Sequence, residues 1–461
     1  MASLPSSVTV LDRFQVSPPP GSAPNASLPL TFFDVVWLPT GPVERIFFYP
    51  FPHPTSHFVS HHLPSLKSSL SRALRHFYPL AGRVVPPCGP SPEAKFQIRC
   101  SDGDSVSLTL AESSDDFRQL SGDQPRGFGR VYGLIPQLPP TGDGSIPLLA
   151  LQITVFPDQG VSIGVAVHHV ACDDSSSIHF VKSWAAAAAC SVEDPSESPL
   201  SPPPLCDPTV IADPDGLYYK ILTEMQNLKS AGPPPAPLDL PPVGAEQGDA
   251  VIASFLIGRE QIDRLKQGAM ARAGATHVST FVVACAFAWA CLVKAQAGFY
   301  AGKKSAHLLF SVECRGRLEP PVPAGYFGNC LRPCFVEVSM SDLIKDDGVF
   351  AAAEAIGRAI KELEHGILKG AEGWLEKIVS LTAERPMSIA GSPRYRVYDA
   401  DLGWGRPIKV EMTSIEKTPG TVSLAESRDG GGGIEMGLVL PEKDMDEFAR
   451  AFLVAPSFLE T

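Results

Sequence analysis

The chain has 461 residues, 44% of them hydrophobic, with a formal net charge of −12 and a pI near 5.4. That length exceeds what one hydrophobic core usually supports and predicts two domains, while the acidic balance argues against a nucleic-acid partner and offers no basic face to an anionic membrane. No run is long and apolar enough to span a bilayer, residues 1–5 do not open a basic and then apolar leader, and the ten cysteines form no Cys-x-x-Cys pair, so a cytoplasmic protein with reduced thiols is expected.

In chain order, the prolines from Pro18 to Pro29 make a stiff lead into residues 30–37, whose aromatic and β-branched content predicts a strand; residues 43–49 predict another. Leu66, Leu70, Ala73, Leu74 and Phe77 keep i, i+3, i+4 spacing and predict an amphipathic helix over 63–77, ended by Pro79 and Gly82. Leu151, Ile153 and Val155, then Val161, Ile163, Val165 and Val167, alternate with small or polar residues. They predict two strands around a turn at Pro157-Asp158-Gln159-Gly160. Ile178, Val181, Trp184 and Ala185 then return at helical spacing, which leaves His168-His169-Val170-Ala171-Cys172-Asp173 as a loop at the end of a core strand.

Between 190 and 247 the composition turns to Pro and Ser, which predicts a semi-rigid strap without a core of its own and a domain boundary within it. Beyond it come a strand over 250–257, a helix over 261–268 and a helix over 279–295 that is apolar nearly all round and so buried. Strands over 422–427 and 434–440 and a final amphipathic helix complete the chain.

The strand-end histidine pair is the place to look for chemistry, because a ring held there by the core can still meet substrate, and imidazole titrates near working pH. His169 and Asp173 form the chain's single His-x-x-x-Asp match. With eleven histidines roughly half a match is expected by chance, so the spacing by itself decides little. Gly160-Val161-Ser162-Ile163-Gly164 fits a hydrolase elbow in letters, yet the alternation runs on through it and makes Ser162 a mid-strand residue. Gly430–433 links two strands and reads as a hairpin turn, not a phosphate cradle. No further ligand stands at metal-binding spacing from His168, His169, Asp173 and Asp174. Cys172 is a competing acyl-carrying nucleophile, and a Cys in this position more often faces elsewhere.

His169-Val170-Ala171-Cys172-Asp173, followed far downstream by Asp401-Leu402-Gly403-Trp404-Gly405, resembles the paired HxxxD and DFGWG motifs of the BAHD family of plant acyl-CoA-dependent acyltransferases. Leu30-Thr31-Phe32-Phe33-Asp34, Tyr78-Pro79-Leu80-Ala81-Gly82, His277-Val278-Ser279-Thr280-Phe281 and Tyr326-Phe327-Gly328-Asn329-Cys330 extend the resemblance over nearly the whole chain, toward the branch that acylates sugars on anthocyanins and other phenolic glucosides.

The resemblance implies a chloramphenicol-acetyltransferase-like α/β fold of two domains, with mixed sheets and a solvent channel between them. The expected division is residues 1–195, a crossover over 196–247, and 248–461, with about 401–429 crossing back onto the first domain's sheet. It implies His169 as general base and Asp173 as the motif's second catalytic-site residue, turned away and paired with Arg315. Asp401, Gly403, Trp404 and Gly405 are implied as a structural loop. Acyl-CoA, with malonyl-CoA favoured over hydroxycinnamoyl-CoA, is the implied co-substrate, no cofactor is bound permanently, and a monomer acting on a phenolic glucoside is expected.

The candidates for holding the CoA ester are Lys266, Ser279, Thr280 and Arg394. Ser279 and Thr280 are also ordinary helix caps, and Arg394 has a local alternative partner in Asp399. The chain departs from the family pattern in carrying Asp174 where Gly is usual, Leu402 for Phe, and Ser392 where shikimate-type enzymes have Trp. A hydrolase and a non-catalytic binding protein are the alternatives from other classes.

Overall fold

The computed structural model describes residues 7–87, 94–139, 141–189, 202–230, 249–274 and 276–454. The N-terminal leader, the boundary placed near 195 and the proline clusters at 195–199 and 233–242 lie outside them.

One six-stranded sheet runs in the order Val8–Val16, Val106–Ser113, Leu149–Phe156, Gly160–His168, Pro42–Pro50, Lys409–Met412. Its central pair comes from the alternating run: Leu149–Phe156 and Gly160–His168 are antiparallel, with Ile153 opposite Ile163 and Leu151 opposite Val165, and every residue of both strands is buried. Asp158 takes a positive φ of 59° in the two-strand turn, a conformation Asp tolerates better than most residues. A seven-stranded mixed sheet runs Leu331–Ser339, Ser305–Glu313, Met387–Ala390, Thr421–Glu426, Ile434–Pro441, Ala250–Ile257, Arg126–Gly127, and a four-stranded sheet is formed by Ala26–Pro29, Gln97–Cys100, Arg83–Val85 and Ile146–Pro147. The chain thus has a mixed α/β architecture in which Arg126–Gly127 from the first half joins the second large sheet and Lys409–Met412 from the second half edges the first. Of residues 401–429 only Lys409–Met412 lies in the first sheet, since Thr421–Glu426 has already returned to the second.

A buried polar network ties these exchanged strands together. Lys409, with no exposed surface, donates from Nζ to Glu435 (2.8 Å), Asp123 (2.9 Å) and Ser254, while Arg126 pairs with Glu411 and Arg428 with Asp123 and Glu435. Buried charges of this kind are tolerable because each is met by opposite charge and hydrogen bonds.

Two sequence expectations are corrected. Residues 30–37 do not form one strand: a short strand, Ala26–Pro29, is followed by a helical turn, Phe32–Val35. The side chain of Asp34 accepts hydrogen bonds from the Thr31 amide (2.8 Å) and hydroxyl (2.6 Å), a reciprocal cap that outweighs the strand preference of the aromatic run. The crossover is also more than a strap. Leu217–Ser230 is a helix that buries Leu217, Tyr218, Ile221 and Met225 against the main core, because its apolar residues fall at helical spacing between the proline clusters.

Candidate active site

The strand Gly160–His168 delivers both histidines to the edge of the core, and the helix Asp174–Ala189 begins directly after the loop. His168 is buried, and its Nδ1 accepts the Val170 amide N–H (3.2 Å), so this ring stabilises the loop's turn. Burial, with His169 and Lys417 adding to it, pushes its pKa down to about 4 and keeps it neutral.

His169 is half-buried and lies flat on the indole of Trp37, with centroids 3.6 Å apart and planes 5° apart. Burial lowers its pKa below the usual imidazole value, against upward pulls from its own carbonyl, Asp173, Asp174 and Asn329. The ring is therefore neutral and able to accept a proton at neutral pH. The indole face opposes the desolvation once the ring is charged, because a π-face attracts a cation. Its carbonyl is held by Nδ2 of Asn329 at 2.9 Å.

Asp173 does not reach this ring. Its carboxylate, essentially unexposed, accepts from Nη1 of Arg315 (2.8 Å), the Ser176 amide (3.0 Å) and the Cys330 amide (3.2 Å). It caps the helix that starts at Asp174 and anchors the Tyr326-Phe327-Gly328-Asn329-Cys330 segment. Arg315, itself buried, adds bonds to the Tyr326 and Gly328 carbonyls and to Ser176. Asp174 is the first residue of the helix, and both its oxygens bind the guanidinium of Arg45 (2.7 and 3.0 Å) on the strand Pro42–Pro50. A carboxylate in the first helical turn also suits the helix dipole, so this departure from Gly is stabilised twice.

The Asp401 loop docks on the same sheet. Oδ1 of Asp401 accepts the Gly403 and Gly405 amides (2.8 and 3.0 Å), a turn for which both glycines adopt φ near +90°. Trp404 donates to Nδ1 of His62 (3.1 Å) and packs edge-on against Tyr49 and Phe58, Leu402 is buried, and Tyr49 donates to the Ala400 carbonyl. No group of this loop faces His169 through a hydrogen bond or ion pair.

The remaining candidates make no hydrogen bond or ion pair with His169 among the described residues. Lys266 is half-buried on the helix Arg259–Ala273. Ser279 caps the helix Thr280–Ala295 by accepting the Val282 amide (3.3 Å), and Thr280 is its first residue. Arg394 is exposed on the turn Pro393–Tyr395 and makes no ion pair among the described residues; Asp399 is held by Arg396 (2.7 Å) and Arg406 (2.9 Å). Cys172 is buried and its thiol is pushed far up by burial and by Asp173 and Asp174, which leaves it a poor nucleophile. Ser162 is wholly buried in mid-strand, away from any helix start. Among the described residues no group of three or more His, Cys, Asp or Glu side chains converges to hold a metal ion.

Trp37 and Asn329 are the site residues that sequence reasoning did not single out. A small cavity is lined among others by Leu30, Asp34, Ala171, Cys206, Tyr326 and Phe327.

Comparison with known proteins agrees with this architecture. The model of the Transferase family matches residues 6–453. The chain is 37% identical to phenolic glucoside malonyltransferase 2 of Arabidopsis thaliana, over 96% of this chain and 98% of that one. It is 36% identical to coumaroyl-CoA:anthocyanidin 3-O-glucoside-6''-O-coumaroyltransferase 1 of the same plant, over 95% of each. Its fold superposes on the crystal structure of vinorine synthase with a TM-score of 0.69 and 22% identity, covering 95% and 96% of the two chains. A two-domain α/β scaffold, the His169–Asp173 motif and a full-length family match place the protein together: the chain belongs to the Transferase family, that of the BAHD acyltransferases.

Proposed function

We propose that the protein transfers an acyl group from acyl-CoA to a sugar hydroxyl of a phenolic or flavonoid glucoside, with His169 as general base in a ternary complex. The observation that carries this reading is a neutral imidazole at the end of a rigid strand, stacked on Trp37, with the neighbouring carboxylate fully engaged by Arg315. In this mechanism His169 takes the acceptor's hydroxyl proton as the oxygen attacks the thioester carbon. The tetrahedral intermediate then expels CoA thiolate, which receives the proton from the imidazolium. General-base catalysis accounts for about 10²- to 10⁴-fold, and the positioning of two substrates for the rest. Lys266, Ser279 and Thr280 are the candidates for contacts with CoA. We take the protein to act as a cytoplasmic monomer with no permanently bound cofactor; among the described residues no helix is long and apolar enough to cross a membrane.

Malonyl is the favoured acyl group. Relatives named for malonyl and for coumaroyl transfer match the chain about equally, and the exposed guanidinium of Arg394, without an ion pair among the described residues, supports a donor with a free carboxylate. A carboxylate entering a partly dry site is costly unless a cation meets it, and a bidentate Arg contact offsets that cost. Arg394→Ala is expected to cut kcat/KM for malonyl-CoA roughly ten- to a hundredfold more than for acetyl-CoA, the scale of a charged hydrogen bond of about 1.5–3 kcal/mol. A mass-spectrometric screen of acyl-CoAs against phenolic glucosides tests the whole reading. Preference for p-coumaroyl-CoA would replace malonyl with the hydroxycinnamoyl alternative, and thioester cleavage faster without acceptor than transfer with one would turn the protein into a hydrolase.

A further inference from the structure

Two polar atoms at the centre of the site are buried and make no hydrogen bond among the described residues: Nδ1 of His169 and Oδ1 of Asn329. Such atoms are costly to leave alone, so an orphaned pair in one place asks for a reason. The His169 carbonyl and the Asn329 side chain both pull the His169 pKa upward, as acceptors beside the ring do. That carbonyl already accepts Nδ2 of Asn329.

The orientation of the Asn329 amide is fixed from behind. Its Nδ2 donates to Oδ1 of Asp34 (3.0 Å) as well as to the His169 carbonyl (2.9 Å), which uses both N–H bonds. Asp34 has four partners: the Asn329 backbone amide (3.2 Å) and Nδ2 on Oδ1, the Thr31 amide (2.8 Å) and hydroxyl (2.6 Å) on Oδ2. Burial pushes the Asp34 carboxyl up and these four hydrogen bonds oppose it. Oδ1 meets only the two N–H donors of Asn329, and a proton on the carboxyl fits only on Oδ2, against the Thr31 hydroxyl, so Oδ1 faces the amide as an acceptor. Facing a carboxylate, the amide must present its nitrogen. Its oxygen is thereby turned away from Asp34, and an acceptor beside a neutral imidazole selects the tautomer with hydrogen on the facing nitrogen.

We propose that the carboxylate serving the base is Asp34, acting through Asn329: it locks the amide so that Oδ1 faces Nδ1 of His169, which holds the ring in its Nδ1–H tautomer with Nε2 free to take the acceptor's proton. Asp34 and Asn329 are positioning residues, and the helical turn that replaces the expected strand at 30–37 is what places Asp34 behind the site. The inference rests on His169 being the base, yet it can be tested without any substrate.

The enzyme, selectively labelled with ¹⁵N-histidine, gives the tautomer directly, with the His169 signals identified by their loss in His169→Gln. The expected wild-type pattern is a protonated Nδ1 and an unprotonated Nε2 at neutral pH. An Nε2–H tautomer overturns the proposal, whichever substrates the enzyme uses. Absence of activity in the donor screen would instead sink the proposed function and leave the tautomer result standing.

Asn329→Ala and Asp34→Ala should each yield a mixed tautomer and lower kcat roughly ten- to a hundredfold, with KM for malonyl-CoA within about twofold. The double variant should fall no further than the worse single one, because the two side chains act in one line. Multiplying losses, or a wild-type kcat in Asp34→Ala, overturn it. Should Asp34→Ala not fold, Thr31→Val removes one donor from the cage and is expected to move tautomer and kcat the same way by less.

Discussion

His169→Ala is expected to lower kcat by at least about 10²- to 10⁴-fold while leaving the melting temperature close to that of the unmutated enzyme. The ring is half-buried and stacks on the indole of Trp37 at the edge of the core, so its loss exposes that face without hollowing the core. His168→Gln should behave in the opposite way. That ring is buried and its Nδ1 receives the Val170 amide, a bond the Gln carbonyl can take over, so much of the activity should survive at some cost in stability. The pH profile adds a second check. A general base must be neutral to act, and burial depresses the His169 pKa, so kcat/KM should fall on the acid side only below the ordinary imidazole value of about 6.5. Equal losses in the two variants, or an acid limb above pH 7, would remove His169 from its role.

The parts of this site that could be read from the sequence are those built by local periodicity. Alternation from Leu151 to Val167 places His169 at a strand end because a strand exposes every second residue to the same face, and this needs no knowledge of neighbours. The Leu30–Trp37 run shows where that logic fails. Its aromatic content favours a strand, and the Thr31-x-x-Asp34 cap that overrides it was present in the letters but carries weight only when Asp34 is desolvated and bonded from elsewhere. Trp37 and Asn329 were out of reach for a different reason. The Asn329 contact with His169 spans 160 residues of sequence, and that with Asp34 spans 295, so neither has any periodic signature. The crossover helix Leu217–Ser230 did carry apolar residues at helical spacing, which the surrounding proline obscured.

Asp173→Asn is expected to reduce thermal stability and turnover together, through Arg315. In the folded protein Asp173 supplies the charge that makes a buried guanidinium tolerable, since Nη1 of Arg315 meets Oδ2 at 2.8 Å and the other nearby carboxylate, Glu313, is at 3.3 Å and partly exposed. Asn can still accept the Ser176 amide and so keep the helix cap, but it removes the negative charge and places an N–H₂ where an acceptor was needed. Losing one partner of a buried pair costs about 3–5 kcal/mol, and the residual Glu313 contact brings this toward the lower end. A drop of several degrees in Tm follows. Turnover falls with it because Arg315 also pins the Tyr326 and Gly328 carbonyls, and with them the placement of Asn329 against His169. Exchanging both partners for apolar groups, as in Asp173→Leu with Arg315→Met, should recover part of the lost stability, since an unpaired buried charge is worse than no charge. Calorimetry on the two variants, beside kcat at a temperature well below both transitions, separates the cases: an Asp173→Asn enzyme that melts like the unmutated protein yet does not turn over would mean that Asp173 acts on the imidazole itself.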